Sequence, residues 1–146
     1  MKIFGVMLII FSIAGCSEIV DCKRETKTTA RISFFKKTDG TSLEIAFDTI
    51  TAIGTDSIFF TVKDSLSVYD IPLDPNSIST TFIFIKASVT DTLNLGYENQ
   101  FIIIDQDCAP EIAFDNLEII NTSFDSLKIV ERRLLIEVEN NIKIFL

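Results

Sequence analysis

The sequence predicts an all-β protein whose body is a single antiparallel β-sandwich of about seven to nine strands. Apolar and polar residues alternate with a period of two in several segments rich in Ile, Val, Phe and Thr, which is typical of strands with one buried face. Clusters of Asp, Asn, Gly and Pro separate these segments and supply turns. A chain of 146 residues that is 47% apolar suffices for one such domain and is too apolar to be disordered.

The composition also excludes several functional classes. The chain carries 21 acidic and 13 basic residues, and this formal charge of −8 argues against nucleic acid as a partner because phosphate is repelled. It contains no His, so Ser-His-Asp or Cys-His catalysis and a His-ligated metal are excluded. The few glycines form no phosphate-binding loop. We therefore expect no catalytic residue, no metal and no cofactor.

The first element is an export signal over residues 1–15, which we expect to be helical. Met1 and Lys2 provide a positive start, and the apolar stretch Ile3–Ala14 follows. This stretch is shorter than the ~20 apolar residues that a membrane span requires. The sequence therefore favours a cleaved signal peptide over a permanent transmembrane helix.

The end of this signal, Ile13-Ala14-Gly15-Cys16, resembles the bacterial lipobox. The resemblance implies cleavage before Cys16 and attachment of lipid, palmitate included, to that residue. Several acyl chains would anchor the protein to a membrane surface without spanning it. The alternative is an ordinary cleaved signal followed by a cysteine without lipid. The lipobox interpretation divides the chain into a signal peptide (1–15), a lipidated tether (16–29) and a β-sandwich domain (30–146).

The three cysteines form an odd set, which acylation of Cys16 would explain. Cys22 and Cys108 could then close a disulfide in an oxidising compartment and join the start of the fold to its later half. Two free thiols are the alternative. A redox pair is disfavoured because no Cys-x-x-Cys spacing exists.

The strands of the body are predicted in chain order. Ala30–Lys37 and Ser42–Phe47 flank the turn residues of Thr38–Thr41 and predict a hairpin. Alternation over Tyr69–Leu73 predicts a strand that contains Pro72, which should lie at a sheet edge or bulge because proline cannot donate a backbone hydrogen bond. Leu73–Asn76 then predicts a tight turn.

The later strands follow the same alternation. Leu93–Tyr97 and Ile142–Leu146 alternate, and Asn140-Asn141 suits a final hairpin turn. Ser126–Glu139 is the best helical candidate, but its apolar pattern favours strands.

Three segments are apolar at consecutive positions and should be covered on both faces. They are either central strands of an ordinary sandwich or a hydrophobic ligand groove or partner surface. The segments are Ile58–Phe60, Phe82–Ile85 and Phe101–Ile104.

A repeated tripeptide, Asp followed by Ser or Thr and an aliphatic residue, has two interpretations. It can close a turn and open a strand. It also resembles the O-glycosylation signal used on exported proteins by Bacteroidota, which would require an exposed turn. The possible acceptors are Thr49, Ser57, Ser65, Thr92 and Ser126.

The densest carboxylate cluster is Asp105–Glu111, whose oxygens could bind a hard cation. It lacks the glycine-centred spacing of a calcium loop, so we assign no metal to it. The acidic residues also allow a carboxylate-dependent hydrolase, although the sequence selects no catalytic pair.

The order of several motifs resembles an uncharacterised family of small Bacteroidota lipoproteins. These motifs are the lipobox, Cys22, Ile32–Phe35, Ile71–Leu73, Leu93–Tyr97 and Cys108, over about residues 16–146. Members usually have Cys-Gly at the second cysteine, whereas here Ala109 follows. The resemblance implies a compartment and an all-β body, and it implies no activity.

These observations lead to three functional hypotheses. The first is a lipid-anchored protein of the bacterial outer membrane that serves as a non-catalytic accessory or interaction module. Ser17 after Cys16 is compatible with passage to the outer membrane, facing either the periplasm or the outside. The second hypothesis is a binder of a hydrophobic or glycan ligand, and the third is the hydrolase.

Overall fold

The computed structural model describes residues 28–54, 58–60, 65–103, 106, 108–134 and 138–146. The predicted signal helix and most of the tether lie outside these residues. The described part contains nine strands in two sheets and no helix, so the predicted all-β sandwich is confirmed. The strands are β1 (Thr29–Phe35), β2 (Thr49–Ala52), β3 (Ile58–Phe60), β4 (Val68–Pro72), β5 (Ser79–Lys86), β6 (Val89–Ile102), β7 (Glu111–Thr122), β8 (Leu127–Ile129) and β9 (Ile142–Phe145).

The smaller sheet has the strand order β4-β1-β9-β8. Its two central strands, β1 and β9, are parallel, with Ile32 opposite Ile142 and Phe34 opposite Ile144. This pair departs from the antiparallel pattern expected from the sequence. Parallel neighbours need a long connection, and here nearly the whole domain connects them.

The larger sheet has the order β3-β2-β5-β6-β7, and all its strand pairs are antiparallel. β5 pairs with β6 only as far as the Ser79–Gly96 pair. β6 and β7 continue beyond that point as a pair, from Glu98 opposite Asp115 to Ile102 opposite Glu111. We call these paired segments, Glu98–Ile102 and Glu111–Asp115, the ribbon.

Aromatic side chains fill the space between the sheets. Phe34 of β1 lies 6.3 Å from Phe84 of β5, measured between ring centroids, and Phe47 lies 5.2 Å from both rings. Tyr69 and Phe124 complete the cluster with edge-on contacts. Removing one such buried ring typically costs about 3–5 kcal/mol of stability. This cluster joins the two sheets into one core.

The predicted hairpin after β1 forms only in part. The turn is present, since Lys36 N donates to Thr41 O at 2.8 Å and Phe35 bridges Ser42. The expected second strand over Ser42–Phe47 is wrong, because β4 and β9 pair with most of β1 and leave only its last residues to this segment. The segment makes isolated bridges instead, and it still buries Ile45 in the core.

The predicted final turn at Asn140-Asn141 is also wrong. β8 and β9 pair, but residues 130–141 connect them, so no tight hairpin turn joins the strands. Asn141 is buried, and its Oδ1 accepts a hydrogen bond from Arg31 N at 2.9 Å. Its Nδ2 donates to the carbonyls of Arg133, at 3.2 Å, and Glu131, at 3.4 Å. A polar side chain thus fixes the connection against β1.

Two other local predictions are confirmed. Pro72 ends β4, the edge strand of the smaller sheet, where a missing backbone donor is tolerated. The tight turn after it is present, because Asn76 N donates to the Asp74 carboxylate at 2.8 Å.

Candidate functional site

The ribbon is a two-stranded extension of the larger sheet. In this part β6 no longer pairs with β5, and the sheet consists only of the β6–β7 pair. A two-stranded ribbon is marginal by itself, because few side chains can cover its backbone and its apolar groups. Its base must therefore be held by contacts with the sandwich.

Asn99 provides one of these contacts. Its Nδ2 donates to the carbonyls of Pro75 and Ser77, both at 2.8 Å. These carbonyls belong to the turn between β4 and β5. One amide therefore ties the first part of the ribbon to a turn that spans both sheets.

Tyr97 provides the second contact from just before the ribbon. Its hydroxyl lies 2.6 Å from Thr80 Oγ1 and donates to Asp74 O at 3.0 Å. Its ring packs edge-on against Phe114, with centroids 5.2 Å apart. Burial raises the pKa of Tyr97, so the neutral phenol that can donate is favoured. The base of the ribbon is thus fixed to the sandwich by contacts on both sides of the turn before β5.

Large apolar side chains are exposed at the end of the ribbon and directly after it. Phe101 is 79% exposed and Ile103 is 67% exposed, while Ile112, opposite Phe101, packs against the core. The sequence placed Phe101 and Ile103 in a segment that should be covered on both faces. Side chains of this size stay exposed at a cost, and a cluster of them often marks a contact site.

Two pockets lie near the base of the ribbon. The larger has a volume of about 570 Å³ and mixes apolar residues such as Phe59 and Leu73 with polar residues such as Thr81. The second has a volume of about 500 Å³, and Glu98, Glu118 and Arg132 contribute charge to it. Both volumes fall within the range of small-molecule sites, about 300–1,000 Å³.

The other two apolar segments behave differently. Phe82–Ile85 lies in the central strand β5, where Phe82 and Phe84 are buried and the two isoleucines between and after them are half-buried. Ile58 of the edge strand β3 is 59% exposed, whereas Phe59 packs against the core. The interpretation as a central strand is thus correct for one segment.

The predicted cysteine sites fall partly outside the described residues. Cys16 and Cys22 both lie outside the described residues, as do Asp105 and Asp107 of the acidic cluster. Cys108 is described and is buried in the connection between β6 and β7. Across the described ranges, no three residues of the types His, Cys, Asp and Glu come together as a metal site. No helix in those ranges could span a membrane.

The possible glycosylation sites lie in different surroundings. Ser65 is exposed in the connection before β4, and Ser126 is half-buried before β8. Thr49 and Thr92 are half-buried strand residues of β2 and β6. Ser57 lies outside the described residues.

Some of the preceding aspartates have structural roles. Asp48 Oδ2 accepts a hydrogen bond from Ala87 N at 2.6 Å, and Asp91 Oδ1 accepts one from Ser123 Oγ at 2.8 Å. These contacts match the interpretation of the tripeptide as a turn or strand boundary.

Asn99 was missed by the sequence reasoning. No sequence pattern distinguishes its amide from those of the other asparagines, because its acceptors belong to a distant turn. Tyr97 was recognised only as a strand residue, although a buried tyrosine usually needs a hydrogen-bond partner for its hydroxyl.

The fold and the ribbon define the class of this protein as a two-sheet β-sandwich domain whose larger sheet extends as a two-stranded ribbon. Residues 48–146 match the family of unknown function DUF6452, and the chain belongs to this family. The match begins just before β2, although β1 occupies a central place in the smaller sheet. No curated protein and no solved structure matches the chain.

Proposed function

We propose that this protein is a lipid-anchored, non-catalytic interaction module of the bacterial cell envelope, held at the outer membrane. The N-terminal sequence supports the anchor, because a basic start, an apolar stretch and Ile13-Ala14-Gly15-Cys16 follow one another. We also propose that the protein is one of the small Bacteroidota lipoproteins that its sequence resembles. In this proposal the acyl chains on Cys16 set the location of the protein.

The observation that best supports an interaction module is that aromatic side chains fill the space between the two sheets. The aromatic cluster around Phe34 and Phe84 occupies the space between the sheets, where a lipid carrier would need a continuous apolar cavity. The exposed large apolar side chains, with Phe101 of the ribbon among them, lie instead on the outer surface of the domain. This distribution favours contact with another surface over enclosure of a ligand.

A disulfide between Cys22 and Cys108 is part of the proposal. Cys108 is buried and is not a free, titrating thiol. The bond would fix the tether to the connection between β6 and β7. Mass mapping of unreduced peptides should find the pair linked, and a peptide carrying either cysteine as a free thiol would contradict it.

Metabolic labelling tests the anchor. Cells expressing the full chain are grown with radioactive palmitate, and we expect label on the immunoprecipitated protein and its recovery with the outer-membrane fraction. The Cys16→Ala variant should lose the label, while Cys22→Ala should keep it. An unlabelled protein secreted into the medium would contradict the proposal.

A ligand-binding role is a second candidate, favoured by the pocket of about 570 Å³ beside the ribbon base. Native mass spectrometry of protein from its own envelope would then show a bound lipid or glycan. Thr81→Trp should fill the pocket and abolish the adduct, whereas Thr90→Trp, an exposed position in β6, should retain it. Absence of an adduct from the unaltered protein would eliminate this candidate.

A further inference from the structure

The chain enters the domain at the end of the sandwich that carries the ribbon. Thr28 O accepts a hydrogen bond from Leu73 N at 2.9 Å. The next residue, Asp74, donates its N–H to the Tyr97 hydroxyl at 3.2 Å. Pro75 follows and accepts from Asn99 at 2.8 Å. A short series of contacts thus links the entry point of the tether to the base of the ribbon.

The opposite end of the sandwich is far from this point. β6 runs from Val89 to Ile102, a length of about 45 Å for a strand of this size. Val89 is 58% exposed beside the turn between β5 and β6. Exposed apolar residues at the two ends of one strand therefore differ strongly in their distance from the tether.

The tether limits how far the domain can move from an anchored Cys16. The stretch from Cys16 to Thr28 reaches at most about 45 Å even when fully extended. A bond between Cys22 and Cys108 would shorten this limit, because Cys16 to Cys22 spans at most about 20 Å. Cys108 belongs to the connection that follows Phe101 and Ile103.

We propose that Phe101 and Ile103 insert into the interfacial layer of the membrane that holds the acyl chains. This inference rests on the proposed lipid anchor. Both side chains are largely exposed, Phe101 on the ribbon and Ile103 directly after it. They lie at the end of the sandwich where the tether enters, and hydrogen bonds of Asn99 and Tyr97 hold the ribbon base there. Insertion removes their apolar surface from water. The Val89 end then points away from the membrane.

Charge determines which lipid surface suits this contact. Glu98 is exposed on the ribbon, and Asp105, Asp107 and Glu111 follow closely in the sequence. Carboxylates are repelled by anionic headgroups. We therefore expect insertion into zwitterionic membranes and weaker insertion where anionic lipid is abundant.

The absence of tryptophan from the chain allows a direct test. F101W places one indole at the ribbon end, and the matched control V89W places one at the opposite end of the same strand. Each mature, lipidated variant is reconstituted into phosphatidylcholine vesicles, with and without lipid brominated on its acyl chains. Circular dichroism confirms the fold of each variant, and I103W replaces F101W if the latter does not fold.

Brominated lipid should quench F101W emission several-fold more than V89W emission, with a blue shift only for F101W. If both variants float with the vesicles but are quenched equally and weakly, the inference is wrong. The proposed lipid anchor is not contradicted by that result. Protection of F101W from aqueous acrylamide without quenching by brominated lipid would also overturn the inference, in favour of a protein occupant. Protein that carries no acyl chains by mass would instead refute the proposed function.

Discussion

Tyr69 and Tyr97 are the two tyrosines of the chain, and burial raises the pKa of both hydroxyls. Tyr69 donates to Ile45 O at 2.6 Å, and Tyr97 donates to Asp74 O at 3.0 Å. Each phenol thus holds a loop against the core through a proton that it would lose on ionisation. Both contacts should weaken at alkaline pH.

A spectrophotometric titration tests this expectation. Because the folded pKa values are raised, the two phenols stabilise the fold fully below the unfolded pKa of about 10, and this contribution is lost as pH rises through the folded values. Phenolate absorbance should therefore appear at higher pH in the folded protein than in urea. Y97F isolates Tyr69 as the remaining phenol. Coincident folded and unfolded titration curves would contradict the prediction.

Asn141 should contribute strongly to stability because its amide bonds to three backbone groups at a position that is 2% exposed. N141A leaves these groups without their partner, and we expect a loss of about 2–3 kcal/mol. Urea denaturation monitored by circular dichroism measures the loss. N76A, at an exposed turn position, is the control and should change stability by less than about 0.5 kcal/mol. Equal effects of the two variants would contradict this role for Asn141.

The surroundings of two residues, Asn141 and Phe101, could not be predicted from the sequence alone. Asn141 was placed in a final hairpin turn because the Asn-Asn pair suits one, yet its partners include Arg31, which is distant in sequence. Phe101 belongs to an apolar segment for which the sequence left two interpretations open, a covered central strand or an apolar surface for a ligand or partner. Its exposure depends on where β5 stops pairing with β6, and no local pattern encodes that point.

Among the turns, the one between β5 and β6 contains a backbone conformation that its sequence disfavours. Ala87 has a φ of 52°, in the left-handed region, and its N–H is held by Asp48 at 2.6 Å. An L-residue is strained there by about 1–2 kcal/mol, whereas glycine is not. The carboxylate of Asp48 helps to hold this turn in place.

A87G should relieve the strain and stabilise the protein by about 1 kcal/mol, less the chain entropy that glycine adds to the unfolded state. Thermal unfolding measures the change. S88G, at the neighbouring turn residue without a positive φ, should instead destabilise by about 0.5–1 kcal/mol. A fall in melting temperature for A87G would show that the turn is unstrained.

Alternation identified strands well where one face is buried. β4, the central part of β6 and β9 all appear where the pattern indicated, with Ile71, Leu95 and Ile144 in the core. The same pattern failed over Ser42–Phe47, because its apolar residues are buried although β4 and β9 pair with most of β1 and leave this segment only isolated bridges. Alternation of apolar residues indicates which side chains are buried. Whether a segment pairs as a strand also depends on which other segments compete for the same strand edge.

The molecule as a whole depends on its last strand. β9 lies between β1 and β8, and Ile142 and Ile144 are fully buried. A chain ending at Asn141 would leave the core open and β1 without a neighbour on one side. We expect it to show no cooperative thermal transition by circular dichroism.

A chain ending at Phe145 is the matched control. It keeps β9 and loses only Leu146, which is 42% exposed. It should unfold cooperatively at a slightly lower temperature, because the Lys37 N–H loses its acceptor on Leu146. Cooperative unfolding of the chain that ends at Asn141 would mean that the larger sheet folds without β9.

The parallel contact between β1 and β9 also affects how the protein is made. β1 leaves the ribosome before the other described strands and β9 leaves after them, so Phe34 has no complete sheet to join until β9 has emerged. The nascent polypeptide must keep these apolar groups from aggregating over that interval. Closure of the smaller sheet therefore waits for the emergence of β9, whatever the larger sheet has already formed.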